Sequence, residues 1–356
     1  MLKRAMSVLG ASLVACSVAV PVASAAGSTA GTQLPAAAGG RTVEIFASGV
    51  TTPTSFAFGA GRVFEGDGGN PPSTPGGVFV LAGGTATRLP DSPPFVAGLA
   101  WRDGTLYISS AKFGPGGAII SQILAWSGWN GTTFTQRRVF YTAPKNFPGF
   151  NGIAIGPDRR LYAGVDVSLD QTNDHGPATR PFQYDILSFS LKGKHGRDRK
   201  GPKPAEPRVF ASGIRQPWQI AFARGDTRPY VTDLGQDADA TNPPDFVLHV
   251  RRGDNYGFPT CNWTSKAACA GFATPFRLFA PHSDVGGIAI AGRTMYLSEF
   301  GMGGRPPQVV ALSLHGHRDA TPAVTGFPAP IVGLGAHDGW LYVGSLNGLI
   351  YRVHVS

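Results

Sequence analysis

One short unit occurs six times along the chain, and this repetition restricts the fold more than any other feature. The unit is an apolar strand, a turn built on Gly, Asp or Arg, and an apolar–aromatic–apolar strand that ends in a polar residue. The copies read SFAFGAGRVFEGD from Ser55, GLAWRDGTLYISS from Gly98, and GIAIGPDRRLYAGVD from Gly152. They continue with QIAFARGDTRPYVTD from Gln219, GIAIAGRTMYLSE from Gly287, and GLGAHDGWLYVGS from Gly333. Short apolar runs bounded by Gly, Pro and Asp are strands rather than helices. The second-strand aromatic falls at Phe64, Tyr107, Tyr162, Tyr230, Tyr296 and Tyr342. Units recurring at roughly 40–50 residues, with about four strands each, read as propeller blades, and wider gaps as blades with loop insertions. A single unit can bury little by itself, whereas ring closure covers both faces and leaves only short edges. The expected fold class is therefore all-β, a six-bladed β-propeller. A β-sandwich with chance similarity is the alternative.

A propeller also accommodates the length. A chain of 356 residues would otherwise suggest two or three domains, but one ring can use all of it. The 49 Gly and 30 Pro suit many short strands. The N-terminus reads as an export signal over residues 1–25. It has basic Lys3 and Arg4, an apolar run from Ala5 to Val22, and a small-residue cleavage site at Ala23-Ser24-Ala25. Residues 26–42 read as a disordered leader and residues 43–356 as the propeller. The expected location is secreted, periplasmic or in the cell envelope, with no transmembrane span in the mature chain. Leu13-Val14-Ala15-Cys16 also resembles a lipidation site, although the apolar run continues past Cys16.

Removing the signal leaves Cys261 and Cys269, eight residues apart. An even pair in an exported chain reads as a local disulfide. The net charge is +9. Much of it lies in Lys192, Lys194, Arg197, Arg199, Lys200, Lys203 and Arg208, within a Gly- and Pro-containing stretch that reads as an exposed loop. A solvated loop is the plain interpretation; attraction to a cell-surface polymer is the sharper one. No aromatics interleave with these charges, which argues against nucleic acid.

The repeat also indicates where a site would form. Loops entering the innermost strands and leaving the second strands open on one face of a propeller. That places Glu65, Asp67, Ser109, Ser110, Asp166, Asp233, Glu299 and Ser345 at a common mouth. Arg215, Gln216 and Trp218 join from the fourth blade, and His282, Ser283 and Asp284 from the fifth. Converging carboxylates repel unless a cation lies among them, and such oxygen donors suit Ca²⁺. Arg215 beside Trp218 offers an anion clamp next to a flat apolar surface. Alternatively, these polar strand ends only hydrogen-bond neighbouring blades.

The stretch from Gly213 onward resembles a known family. It carries Gly213-Ile214-Arg215-Gln216-Pro217, Leu234-Gly235-Gln236, Asp245-Phe246-Val247 and Asn255-Tyr256-Gly257-Phe258-Pro259. With Ile155–Tyr162, Pro281-His282-Ser283 and Glu299-Phe300-Gly301 through Arg305, this is similar to the glucose/sorbosone dehydrogenases. These are exported six-bladed propellers that use pyrroloquinoline quinone and Ca²⁺. The resemblance implies quinone contacts from Arg215, Gln216, Trp218 and Arg305. It implies Ca²⁺ held by carbonyls at Gly235 and Gln236; the mouth carboxylates Asp166, Asp233 and Glu299, read from the repeat, are further candidate metal ligands. The substrate would be a small sugar or alcohol that loses hydride to the quinone.

One departure bears on activity. The family places a histidine base about ten residues before the aspartate matched by Asp158. Here that position is Pro148, within Asn146-Phe147-Pro148-Gly149-Phe150-Asn151. A general base must reach the proton it removes, and none of these side chains replaces imidazole near neutral pH. His282, or His175 in the third-blade insertion, would have to take its place. Two other functions follow if neither does. One is a non-catalytic propeller binding carbohydrate or protein, and the other is a Ca²⁺-dependent lactonase-type hydrolase.

Overall fold

The computed structural model describes residues 34–70, 73–167, 177–191, 206–236, 241–301, 304–316 and 319–355. The signal and Cys16, His175, and the basic stretch from Lys192 to Lys203 lie outside the described residues.

The described residues form six four-stranded antiparallel blades. The first contains β3 (Pro53–Gly59), β4 (Arg62–Asp67), β5 (Gly77–Ala82) and β6 (Gly84–Arg88). The second contains β7 (Phe95–Arg102), β8 (Thr105–Phe113), β9 (Ile119–Trp129) and β10 (Phe134–Thr142). The third contains β11 (Phe150–Ile155), β12 (Arg160–Val165), β13 (Ile186–Ser190) and β14 (Arg208–Ala211). The fourth contains β15 (Pro217–Phe222), β16 (Pro229–Asp233), β17 (Phe246–His249) and β18 (Arg277–Leu278). The fifth contains β19 (Val285–Ala291), β20 (Thr294–Glu299), β21 (Gln308–Ser313) and β22 (Thr321–Thr325). The sixth contains β23 (Ile331–His337), β24 (Trp340–Ser345) and β25 (Leu349–His354) from the C-terminus. Its outer strand is β2 (Val43–Ser48) from the N-terminus, antiparallel to β25. The two ends of the propeller thus complete one blade, and the ring closes. Innermost strands of successive blades touch all the way round.

Part of the expected leader is ordered. Strand β1 (Ala36–Ala37) pairs with β22 on the outer edge of the fifth blade. Its backbone satisfies an edge that would otherwise expose donors and acceptors. No helix among the described residues is long and apolar enough to cross a membrane.

The repeating aromatic explains the packing. The core divides into six apolar clusters, one between each pair of neighbouring blades. Phe64 sits between the first and second blades, Tyr107 between the second and third, and Tyr162 between the third and fourth. Tyr230, Tyr296 and Tyr342 continue the sequence round to the first blade again. Each is a wide, flat wedge, the shape needed where two twisted sheets fan apart from the axis.

Close to the axis the requirement reverses. Innermost strands approach closely, and Gly98, Gly152, Gly287 and Gly333 stand at equivalent places on them. A Cβ on Gly98 would lie 2.7 Å from the Ile153 nitrogen, and one on Gly333 would strike the Thr54 backbone. The register of innermost against second strand shifts near this place in all six blades. Such bulges bend a strand and re-aim its groups. Hydroxyls then tie blade to blade. Ser109 donates to the Asn151 carbonyl (2.8 Å), Thr232 to that of Gly286 (2.7 Å), and Ser298 to that of Val332 (3.0 Å).

Candidate functional site

The mouth of the ring holds an open cleft between the second and third blades. Phe95, Ala111, Ile119 and Ser121 form its second-blade wall, and Pro148, Gly149, Asn151 and Asp166 its third-blade wall. Thr54 and Gly68 contribute from the first blade, and Trp218 from the start of β15 in the fourth. Asp166 is the one charged residue lining this cleft. Its Oδ1 accepts from the Val167 nitrogen at 2.8 Å, while its own nitrogen donates to the Gly149 carbonyl at 3.0 Å. Gly149 has φ +146°, which only glycine adopts without strain, and a Cβ there would lie 3.7 Å from Asp166 Oδ2. The Asn151 Nδ2 and Ser121 Oγ atoms are buried without a hydrogen-bond partner. Such unpaired groups cost stability unless something satisfies them.

Gln219 bonds to two of the strands that line the cleft. Its innermost-strand position is the one occupied by the glycines above. It sends a long amide across the axis, where Nε2 donates to the Thr54 carbonyl at 3.0 Å and the Ala97 carbonyl at 3.2 Å. A Cβ on Gly152 would strike its Oε1. One residue thereby links the fourth blade to the first and second.

The other sequence-derived residues of the fourth blade form a separate network beside the cleft. Arg215 is 6% exposed, and Nη1 donates to the carbonyls of Leu234 (3.0 Å) and Gly235 (2.6 Å) and to Gln216 Oε1 (3.1 Å). Asp233 accepts from the Gln216 nitrogen at 2.6 Å. Burial pushes the Asp233 carboxyl up to about 7, against the opposing pull of backbone N–H groups and Arg215. Asp245 bridges two blades. Its oxygens accept from the Gly235 nitrogen (2.7 Å) and the Asp284 nitrogen (2.6 Å). Gln236 is buried at the edge of this network, in a smaller pocket of about 310 Å³ with Tyr256, Phe258 and Trp263. Cys261 and Cys269 are joined as a disulfide in that wall.

The remaining candidates lie elsewhere. Glu299, at the end of β20, accepts from Gln308 Nε2 at 2.6 Å. His282 is half-buried in the loop before β19 with φ +57°, and Arg305 is exposed. None of the three lines the cleft. Asp67 accepts from the Thr51 and Gly69 nitrogens (2.6 Å each) and the Thr52 nitrogen (3.1 Å). Glu65 is wholly buried, and neither of its carboxylate oxygens has a partner. Burial first, and the Asp67 charge second, hold its pKa well above the usual carboxylate range. Among the described residues, no three His, Cys, Asp or Glu side chains cluster to hold a metal.

Sequence reasoning missed Asn151, Ser121 and Gln219. The first two carry no motif. Gln219 did leave a signal: it is the one long side chain where four of the six copies have Gly and one has Ser.

The chain has the fold of the soluble sugar dehydrogenases. A putative oxidoreductase (glucose dehydrogenase) from Thermus thermophilus is similar at TM-score 0.70 and 19% identity, over 88% of this chain and 100% of that one. A PQQ-bound aldose sugar dehydrogenase from Streptomyces coelicolor is similar at 0.66 and 18%, over 91% and 100%. A soluble aldose sugar dehydrogenase from Escherichia coli, in its apo form, gives 0.64 and 14%, over 88% and 99%. No family model matches the sequence. No curated protein matches it either. The likeness to these structures is therefore one of fold.

The donor groups can be compared with what the quinone and Ca²⁺ require. The Gly235 carbonyl already accepts a guanidinium, and a second cation on that oxygen would face Arg215. Both Asp245 oxygens hold backbone N–H groups. An anionic quinone in the cleft would meet the Asp166 carboxylate and no lining cation. The described residues do not fit that cofactor pair.

Proposed function

We propose that this chain is an exported propeller of the sugar-dehydrogenase fold whose mouth binds a sugar in the cleft between the second and third blades. The observation that carries this reading is that Trp218 lines one cleft together with Asn151, Ser121 and Asp166. A pyranose has an apolar face for an indole ring and hydroxyls for amide, hydroxyl and carboxylate groups. Asp166 would accept from two sugar hydroxyls, the charge-assisted contact of the set. Asn151 and Ser121 belong to the same lining and would add polar contacts beside it.

Pro148 stands where the resemblance leads one to look for a base. This supports recognition without oxidation. The quinone bound in the Streptomyces coelicolor structure favours a second reading, quinone-dependent oxidation of the same sugar.

Calorimetry and thermal shift separate the two. The mature protein is titrated with an aldose panel, alone and then with pyrroloquinoline quinone and Ca²⁺. Dye reduction is followed throughout. Sugar binding that neither needs nor responds to the quinone is the expected result. Ca²⁺-dependent quinone binding with dye reduction would establish the second reading. Failure of every sugar to bind would remove both.

A further inference from the structure

The second blade is built differently from the others, and the difference lies at the cleft. Its second strand, β8, has 9 residues, and its third, β9, has 11. Second strands elsewhere have 5 or 6. The β8–β9 hairpin therefore rises above the mouth beyond the level at which the other second strands end. Side chains alternate along a strand, and directly paired residues share a face. Ala111 pairs with Ser121 and Phe113 with Ile119. Ala111, Ser121 and Ile119 all line the cleft. Phe113 belongs to the same face, one step further from the axis.

Phe113 is also 50% exposed, matched only by Val139 among the large hydrophobic residues described. Its ring is held edge-on against Phe95, with centroids 5.3 Å apart and planes at 79°. Phe95 is a buried part of the cleft wall. The cleft wall thus continues outward into a fixed, solvent-facing aromatic ring. Two residues of strand span about 7 Å, which separates Phe113 from Ala111 by roughly the size of one more sugar ring.

We propose that Phe113 forms a second sugar subsite, so that the ligand of the cleft is an oligosaccharide of at least two units. This rests on the sugar-binding reading above and adds ligand length to it. The first unit occupies the space between Trp218, Asn151 and Asp166. The second lies along the raised hairpin with its apolar face on Phe113. No bond is made or broken. Phe113 acts as a specificity-determining residue because it rewards the second unit and contributes nothing to contacts at Trp218.

The test is calorimetric titration of the full mature protein with glucose, maltose, maltotriose, cellobiose and cellotriose. Affinity for one disaccharide series is expected to exceed that for glucose by about tenfold in the wild type. In Phe113→Ala the ratio of disaccharide to glucose affinity is expected to fall towards one. In Phe113→Trp it is expected to persist, which separates loss of the ring from damage to the hairpin. Trp218→Ala should weaken all sugars together. A wild-type ratio near one, with glucose still bound, would overturn the second subsite and leave the sugar-binding reading intact. An unchanged ratio in Phe113→Ala would overturn the role given to Phe113. Failure of every sugar to bind would overturn both proposals.

Discussion

Glu65 is paired across the sheet with Phe56 and Phe79, so its carboxyl lies on their apolar face between the first and sixth blades. With no partner there, burial and then the Asp67 charge raise its pKa well above the usual carboxylate range. Glu65→Met keeps the chain length and removes the unsatisfied group. It is expected to stabilise the fold by about 1–3 kcal/mol near pH 8, with a smaller gain near pH 4, as read by thermal melts at both values. Gln219→Ala should act the other way. It strands the Thr54 and Ala97 carbonyls at the axis and is expected to cost roughly 1–3 kcal/mol. Legibility from sequence follows from the same residues. The aromatic wedges were readable because a wide residue must recur wherever two blades splay. Asn151 and Ser121 were not, because a lone amide or hydroxyl on a strand has no pattern until the neighbouring strand is known. Arg215 was readable as an anion clamp at the mouth, but not its burial against the Leu234 and Gly235 carbonyls, because that depends on how residues 234–236 turn back beneath it.

At the level of elements, the disulfide closes a short loop against Tyr256, Trp263 and Ile214 in one cluster. Replacing both cysteines by serine should cost about 2–3 kcal/mol by the loop-closure argument. A lowered denaturation midpoint at an unchanged slope would check this. The cysteine pair could be read in advance because an even count leaves one pairing. The closing strand β2 could not. Nothing in Val43–Ser48 announces that its partner is β25, at the far end of the chain, since register follows from the ring being complete. Truncation separates the two N-terminal strands. Removing residues before 42 takes away only β1 and should lower the melting temperature by a few degrees. Removing residues before 49 strips the sixth blade of its outer strand and should abolish cooperative unfolding, measured by calorimetry.

For the whole molecule, several carboxyls have folded values raised by burial: Glu65, Asp67, Asp185 to about 7, and Asp233 to about 7. Each holds a proton in the folded state at pH values where the unfolded chain has released it. Stability from these groups is therefore complete below about pH 4 and is lost as pH rises towards about 7. This opposes ordinary acid denaturation. The expected profile is a melting temperature that declines between about pH 5 and 7 and flattens above, measured at fixed ionic strength. Asp233→Asn should flatten the decline over that interval.

The shared sixth blade also sets an order of events in synthesis. Strand β2 leaves the ribosome among the first, but its partner β25 is among the last. Until then the earlier blades can form one by one, each resting on its predecessor, while β2 waits beside β6, its two-residue parallel neighbour. Contacts between such distant parts of a chain form slowly, and an unpartnered strand is exposed to wrong pairing in the interval. The clasp that makes the finished ring durable is thus the step at which an unfinished chain is most vulnerable.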